Sequence, residues 1–247
     1  MNARTALPLL LITLSLLASQ CRADVEQASR LQELRSLGYR FCTKLLLYYD
    51  PSEKYPDPGL LVAAQGDLQQ MTQLSPTITG GNSLAEPLQR IEVLLGELRK
   101  QPLAVVRSSY PSWLNPLLEQ QAKLDRGAAQ LQADQLPAGS LAEQMHDLSL
   151  LNSQLQVLYL ARGFQSLSVE FLDMREQDYA LLDGRIVQGF AALESGDRDQ
   201  VESLKKLRRN YEFIRHNLLD PAQRAAPGSV ALYLGRNAQA LDQLADR

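Results

Sequence analysis

Cysteine, histidine and tryptophan are scarce in this sequence. Among 247 residues there are Cys21 and Cys42, His146 and His216, and the single Trp113. No Cys-x2-Cys or His-x3-His spacing occurs, so the chain lacks the clustered ligands with which a structural zinc site is closed. Cys42 lies on an apolar helical stripe and reads as a small hydrophobe. No G-x-S-x-G elbow is present, and Gly80-Gly81 is not followed by the Lys-Ser/Thr of a phosphate loop. β-branched residues are sparse and never alternate over a long run, which excludes a half-buried sheet. No catalytic residue, no metal ligand and no cofactor is therefore expected, and the chain is expected not to be an enzyme. An enzyme with a scattered site would have to reveal itself as a deep pocket with convergent, shifted acids or histidine.

The one long apolar run is at the start. MNARTALPLLLITLSLLASQCRA carries Arg4, an apolar stretch from Ala6 to Ala18 and small residues near Ala23. This is the pattern of a secretory signal peptide, too short to span a bilayer. Cleavage after Ala23 is expected. The rival is lipidation at Cys21, although Gln20 is not the small residue that lipoprotein signals place before their Cys. Removing residues 1–23 takes away Arg4 and Arg22 and no acid, so 25 Lys and Arg become 23 against 28 Asp and Glu, a net charge of −5. A mildly acidic chain does not suit phosphate-backbone binding, so no nucleic-acid partner is expected. With Cys42 alone remaining, no internal disulfide supports an exported domain, and its core must hold the fold. A periplasmic or secreted location follows from the leader.

What fills the rest is helix-forming sequence, rich in Leu, Ala, Gln, Glu and Arg. The periodicity predicts helices over about 24–49, 60–74, 84–100 and 112–134. After a seam at Leu136–Ser140 it predicts a long helix from Leu141 to Met174, then helices over 200–219 and 229–245. Ser140 and Glu143 form an S-x-x-E capping-box pattern, Ser83 or Asn82 is placed to cap the third helix, and Asp197 or Asp199 the helix from 200. The stretch between Leu148 and Leu160 is apolar nearly all round, which calls for burial on several sides and suggests a dimer seam. A shift of 122 positions lays Leu31–Tyr49 on Ser153–Phe171, bringing Arg40 onto Arg162 and Leu45 onto Leu167. The fold expected is all-α, an elongated antiparallel helical bundle built from two similar halves, about 24–135 and 140–247.

Candidate binding residues follow from the repeat. Arg35 falls beside the apolar stripe of its helix, while Arg40 and Arg162 lie on the far side of theirs. Such arginines could clamp a small anion, or be exposed or paired with nearby acids. Trp113 reads as a core or groove anchor, or as part of a ligand pocket. Lys205, Lys206, Arg208 and Arg209 spread around their helix and read as a solvated face.

Arg35-Ser36-Leu37-Gly38-Tyr39-Arg40 resembles the R-x-L-x-x-R core in the periplasmic sensor region of type IV pilus-type methyl-accepting chemotaxis transducers. Leu182–Asp197 and Tyr211–Arg215 are similar to later parts of such a unit, whereas the second copy has Val157 in place of the first Arg. The resemblance implies a duplicated helical sensor region. In the related nitrate-sensing kinases an Arg of this kind binds the anion, which implies the same for Arg35 or Arg40. Together these features lead to the expectation of a free-standing exported protein that binds a small anionic ligand, or an envelope or membrane-receptor protein, with a homodimer as a further option. The alternative is a structural or assembly factor of an envelope apparatus such as a pilus or secretion system.

Overall fold

The computed structural model describes residues 6–133, 135, 139–164, 167–168, 170–172, 178–196, 200–219 and 227–246; for 6–24, Phe171 and Gly196 it describes the backbone only. The described residues form nine α-helices and no strand. They are α1 (Ala6–Tyr48), α2 (Gly59–Leu74), α3 (Asn82–Leu98), α4 (Leu103–Ser108), α5 (Tyr110–Gln132), α6 (Leu141–Ala161), α7 (Tyr179–Gly196), α8 (Val201–Leu219) and α9 (Pro227–Ala245), with short 3₁₀ turns at Ser75–Thr77 and Glu170–Leu172. None of these helices, searched over the described residues, is long and apolar enough to cross a membrane.

The helices associate as two rings of four. In the first, α1 packs on α2 and α5, and α3 closes the ring against α2 and α5. In the second, α6 packs on α7 and α9, and α8 closes it against the same two. Ring neighbours are antiparallel: Arg40 meets Asp67 and Lys44 meets Ala63 between α1 and α2, while Ser149 meets Ala238 and Gln156 meets Ala231 between α6 and α9. The rings join along α1 and α6, which run parallel, since Gln32 reaches His146 and Tyr39 reaches Gln154. The chain is thus an all-α bundle of two topologically similar halves.

Amphipathic spacing explains the outer helices. Leu84, Leu88, Ile91, Leu95 and Leu98 of α3 and Leu204, Leu207, Tyr211, Ile214 and Leu218 of α8 are buried at three- and four-residue steps. Each large apolar side chain so buried stabilises the fold by about 1.5–3 kcal/mol. α6 is different: nearly every residue from Met145 to Ala161 is buried, because α1, α7 and α9 surround it. The burial that suggested a dimer seam is met inside the chain.

Several boundaries differ from the sequence expectation. α6 ends at Ala161, not near Met174. The stripe expected to continue on it leaves the helix: Phe164 packs edge-on against Tyr110 of α5 with ring centroids 5.1 Å apart, and Met174 lies outside the described residues. The 122-residue shift therefore fits α2 and α3, which it carries onto 181–196 and 204–220, beside α7 and α8, but not the first helix of each half. Arg40 and Arg162 are consequently not equivalent positions. α4, after Pro102, was not expected. α3 is preceded by Gly81 with no side-chain cap, so neither Ser83 nor Asn82 serves as one. Ser140 does cap α6, accepting from the Glu143 amide at 3.2 Å, but Glu143 takes the amide of Gly139 instead of closing the box on Ser140. Asp197, Asp199 and most of the expected seam lie outside the described residues.

Candidate functional site

The six-residue motif on α1 is used up by packing. Arg35 Nε donates to Asp125 Oδ1 of α5 at 2.7 Å, and Nη1 to Gln132 Oε1 at 3.0 Å. Burial opposes the charge of Arg35, but Asp125 outweighs it and the guanidinium stays charged. Tyr39 donates its hydroxyl to Asp125 Oδ2 at 3.2 Å and accepts from Gln154 of α6 at 3.3 Å, and its full burial drives the phenol pKa upward. Leu37 is in the core. Gly38 lets α1 and α5 approach: a Cβ there would lie 1.8 Å from Gln121 Nε2. Arg40 Nη2 donates to Asp67 Oδ1 at 2.7 Å, and Lys44 holds the other oxygen of the same buried carboxylate.

The predicted anion clamp is not assembled. Arg35 faces α5, Arg40 faces α2, and Arg162 sits just past α6, with its guanidinium 3.3 Å from the centroid of Tyr179 and Nη1 donating to the Leu218 carbonyl at 3.1 Å. Trp113 is half-buried and packs against the core on α5. The structure brings none of these four into one cavity. Cys42 is buried, and burial pushes its thiol well above the ordinary range, as fits a packing residue. No group of three or more His, Cys, Asp or Glu that could hold a metal occurs among the described residues.

What the structure does assemble is a polar groove of ≈ 420 Å³ between α1, α6 and α9. Gln32, Ser36, His146, Ser153, Gln156 and Asp242 are central among its lining residues, and Arg40 stands at its edge. Asp242 is held by two donors from α1, Gln32 Nε2 on Oδ1 at 2.8 Å and Ser36 Oγ on Oδ2 at 2.7 Å, and Ser149 of α6 adds a further hydrogen bond. Burial raises the Asp242 pKa above the usual carboxylate value, and these hydrogen bonds only partly offset it. No cation pairs with it among the described residues. His146 is 4% exposed and burial lowers its pKa, so the ring is neutral near pH 7. Its Nδ1 has no hydrogen-bond partner, and neither does Oε1 of Gln32, which is 1% exposed. Both residues also line a second cavity of ≈ 180 Å³ with Arg35, Gln132, Glu143 and Asp147.

The groove residues were legible only in part. His146, Ser149, Asn152 or Ser153, and Gln156 recur at three- and four-residue steps through α6 and are all buried, and His146, Ser153 and Gln156 line the groove. That polar stripe is the signal missed when the same helix is read as apolar all round. Asp242 carries no local signal, because its partners Gln32, Ser36 and Ser149 lie on distant helices. Shifted Asp242 and His146 in one groove meet half the condition set for a scattered enzyme site. The connectivity does not form a nucleophile relay, since the Ser36 hydroxyl donates to Asp242 and not to the imidazole.

Comparison with protein-family models, with curated proteins and with solved structures found no match. The resemblance to the transducer sensor region stands on its motif residues alone.

Proposed function

We propose that this chain is an exported, non-enzymatic helical-bundle protein that works by binding, in the manner of a sensor, and that its binding site is the groove between α1, α6 and α9. The leader supports export. The observation that carries the site is that two almost fully buried residues among those lining the groove, Gln32 and His146, keep polar atoms without partners among the described residues. A buried polar atom left unpaired costs about 1–3 kcal/mol. A ligand that supplies the missing hydrogen bonds recovers that cost, which gives the groove a reason to be polar. Asp67, Asp125 and Asp183, by contrast, are each paired with a cation of the chain.

The site is tested by blocking it. Gly235 lines the groove, and a Cβ there would make only ordinary contacts with Gln156, the nearest at 3.5 Å. Gly235→Leu should therefore fill the groove and leave the helix packing intact. In a thermal-shift screen of small metabolites with envelope extract as a parallel bait, the wild type should gain a partner that Gly235→Leu loses. A partner retained by the variant would move the site elsewhere, and an empty screen together with an empty extract would end the binding reading.

The alternative of an assembly factor loses its cue, since the all-round apolar helix α6 is covered by the chain's own helices.

A further inference from the structure

We propose that the α1/α6/α9 groove takes a small organic amine, with the ligand's ammonium group against Asp242 and its remaining N–H donors toward Gln32 Oε1 and the unpaired ring nitrogen of His146. This rests on the groove being the binding site, and it replaces the anion that the arginines suggested.

The donors and acceptors of the groove are unevenly spent. Several of its donors are already engaged. Gln32 Nε2 and Ser36 Oγ are on Asp242, Ser29 Oγ is on Asp246, and Gln156 Nε2 is on the Ala231 carbonyl at 2.7 Å. The two arginines at the edges are engaged as well. Arg30 pairs with Glu26 and donates to the Thr77 carbonyl at 2.9 Å, and Arg40 pairs with Asp67. Acceptors remain beside the side chains of Ser153, Gln239 and Gln243. Gln32 Oε1 has no partner among the described residues, His146 Nδ1 accepts in the tautomer protonated at Nε2, and a carboxylate has about four lone-pair sites, more than the Gln32, Ser36 and Ser149 hydrogen bonds use at Asp242.

Charge points the same way. Glu26, Glu33, Asp242 and Asp246 line the groove against Arg30 and Arg40. Glu26 pairs with Arg30, and Arg40 shares Asp67 with Lys44 outside the groove. Glu33, Asp242 and Asp246 are left with no ion pair among the described residues. An anion entering here would meet these three unpaired carboxylates, with both arginines already engaged. An ammonium group would meet a part-buried carboxylate already oriented by its hydrogen bonds, and charge-assisted bonds of this kind are the strong ones.

The test is isothermal titration of the purified protein with putrescine and spermidine, alongside 1,4-butanediol and succinate as neutral and anionic counterparts of putrescine. The expected result is saturable binding of an amine that weakens as salt is raised, with no binding of the diol or the diacid. Asp242→Asn should keep its fold, since an Asn oxygen still accepts from α1, and should bind the amine about ten- to a hundredfold more weakly, the loss of one charge-assisted hydrogen bond. Binding of the diol or succinate, abolished by Gly235→Leu, would overturn the amine assignment while keeping the groove as the site. Amine binding unchanged in both Asp242→Asn and Gly235→Leu would overturn the assignment and the site together, as would no binding of any of the four probes.

Discussion

Two carboxylates, one buried and one part-buried, divide the molecule. Asp183 on α7 accepts from Arg215 of α8 through both oxygens, at 2.6 and 2.7 Å, and from the Tyr211 hydroxyl at 2.8 Å. Asp242 on α9 is held by the neutral side chains of Gln32, Ser36 and Ser149 and pairs with no cation among the described residues. Burial opposes the charge on both. At Asp183 the Arg215 and Tyr211 hydrogen bonds win and hold the carboxyl below its ordinary value, while at Asp242 burial wins and the value rises. The difference teaches which acid holds helices together and which is kept at a cost to stability.

The largest effect expected on this comparison is at the satisfied site. Asp183→Ala removes the partner of Arg215 and leaves the Tyr211 hydroxyl, fully buried, without its acceptor. The loss should be about 2–3 kcal/mol in urea denaturation, kept below the full cost of breaking a buried pair because the Arg215 side chain is 41% exposed.

A smaller change of opposite sign is expected at the other carboxylate. The folded pKa of Asp183 lies below the aspartate value of 3.8, so its stabilisation is present above that value and is lost as pH falls through the lower folded value. That of Asp242 lies above 3.8, so its contribution favours the fold below 3.8 and is lost as pH rises through the raised folded value. Asn holds either site in the neutral form. At neutral pH Asp183→Asn should therefore be less stable than wild type and Asp242→Asn equal or more stable, with both differences shrinking toward acid. Melting curves across pH 3–7 (roughly the window in which carboxylates with shifted pKa values titrate) check the signs. A destabilised Asp242→Asn at neutral pH would remove the contrast between the two sites.

The arginines give the weakest effects. Arg162→Ala should cost about 1 kcal/mol, from the contact with Tyr179 and the bond to the Leu218 carbonyl at 3.1 Å, and is read by thermal melting. Arg40→Ala should stay within about 0.5 kcal/mol, since Lys44 still holds Asp67 and the Arg40 side chain is 41% exposed. A loss as large at Arg40 as at Asp183 would show that an exposed partner matters as much as a buried one.

The class of fold could be read in the sequence because helix periodicity is local. Leu84 to Leu98 and Leu204 to Leu218 state their buried faces by spacing alone, and the prolines between Asp50 and Gly59 state where α1 must stop. The similarity of the halves was legible as a tendency, and its register over the first helix was not. Where α6 ends is decided by how residues past Ala161 pack on α5, a contact between distant parts of the chain.

The sequence by itself determined that the described chain is helical and that Cys42 meets apolar surroundings. Only the tertiary structure decided what each polar residue does. Arg35 and Arg40 carry the same charge five residues apart, yet they turn to different helices and are each claimed by an aspartate. Gln32, His146 and Asp242 look ordinary in sequence and converge only when α9 folds back beside α1 and α6. Helix formation depends on neighbours three and four residues away, whereas the balance of charge and hydrogen bonding in a groove depends on elements a hundred or two hundred residues apart.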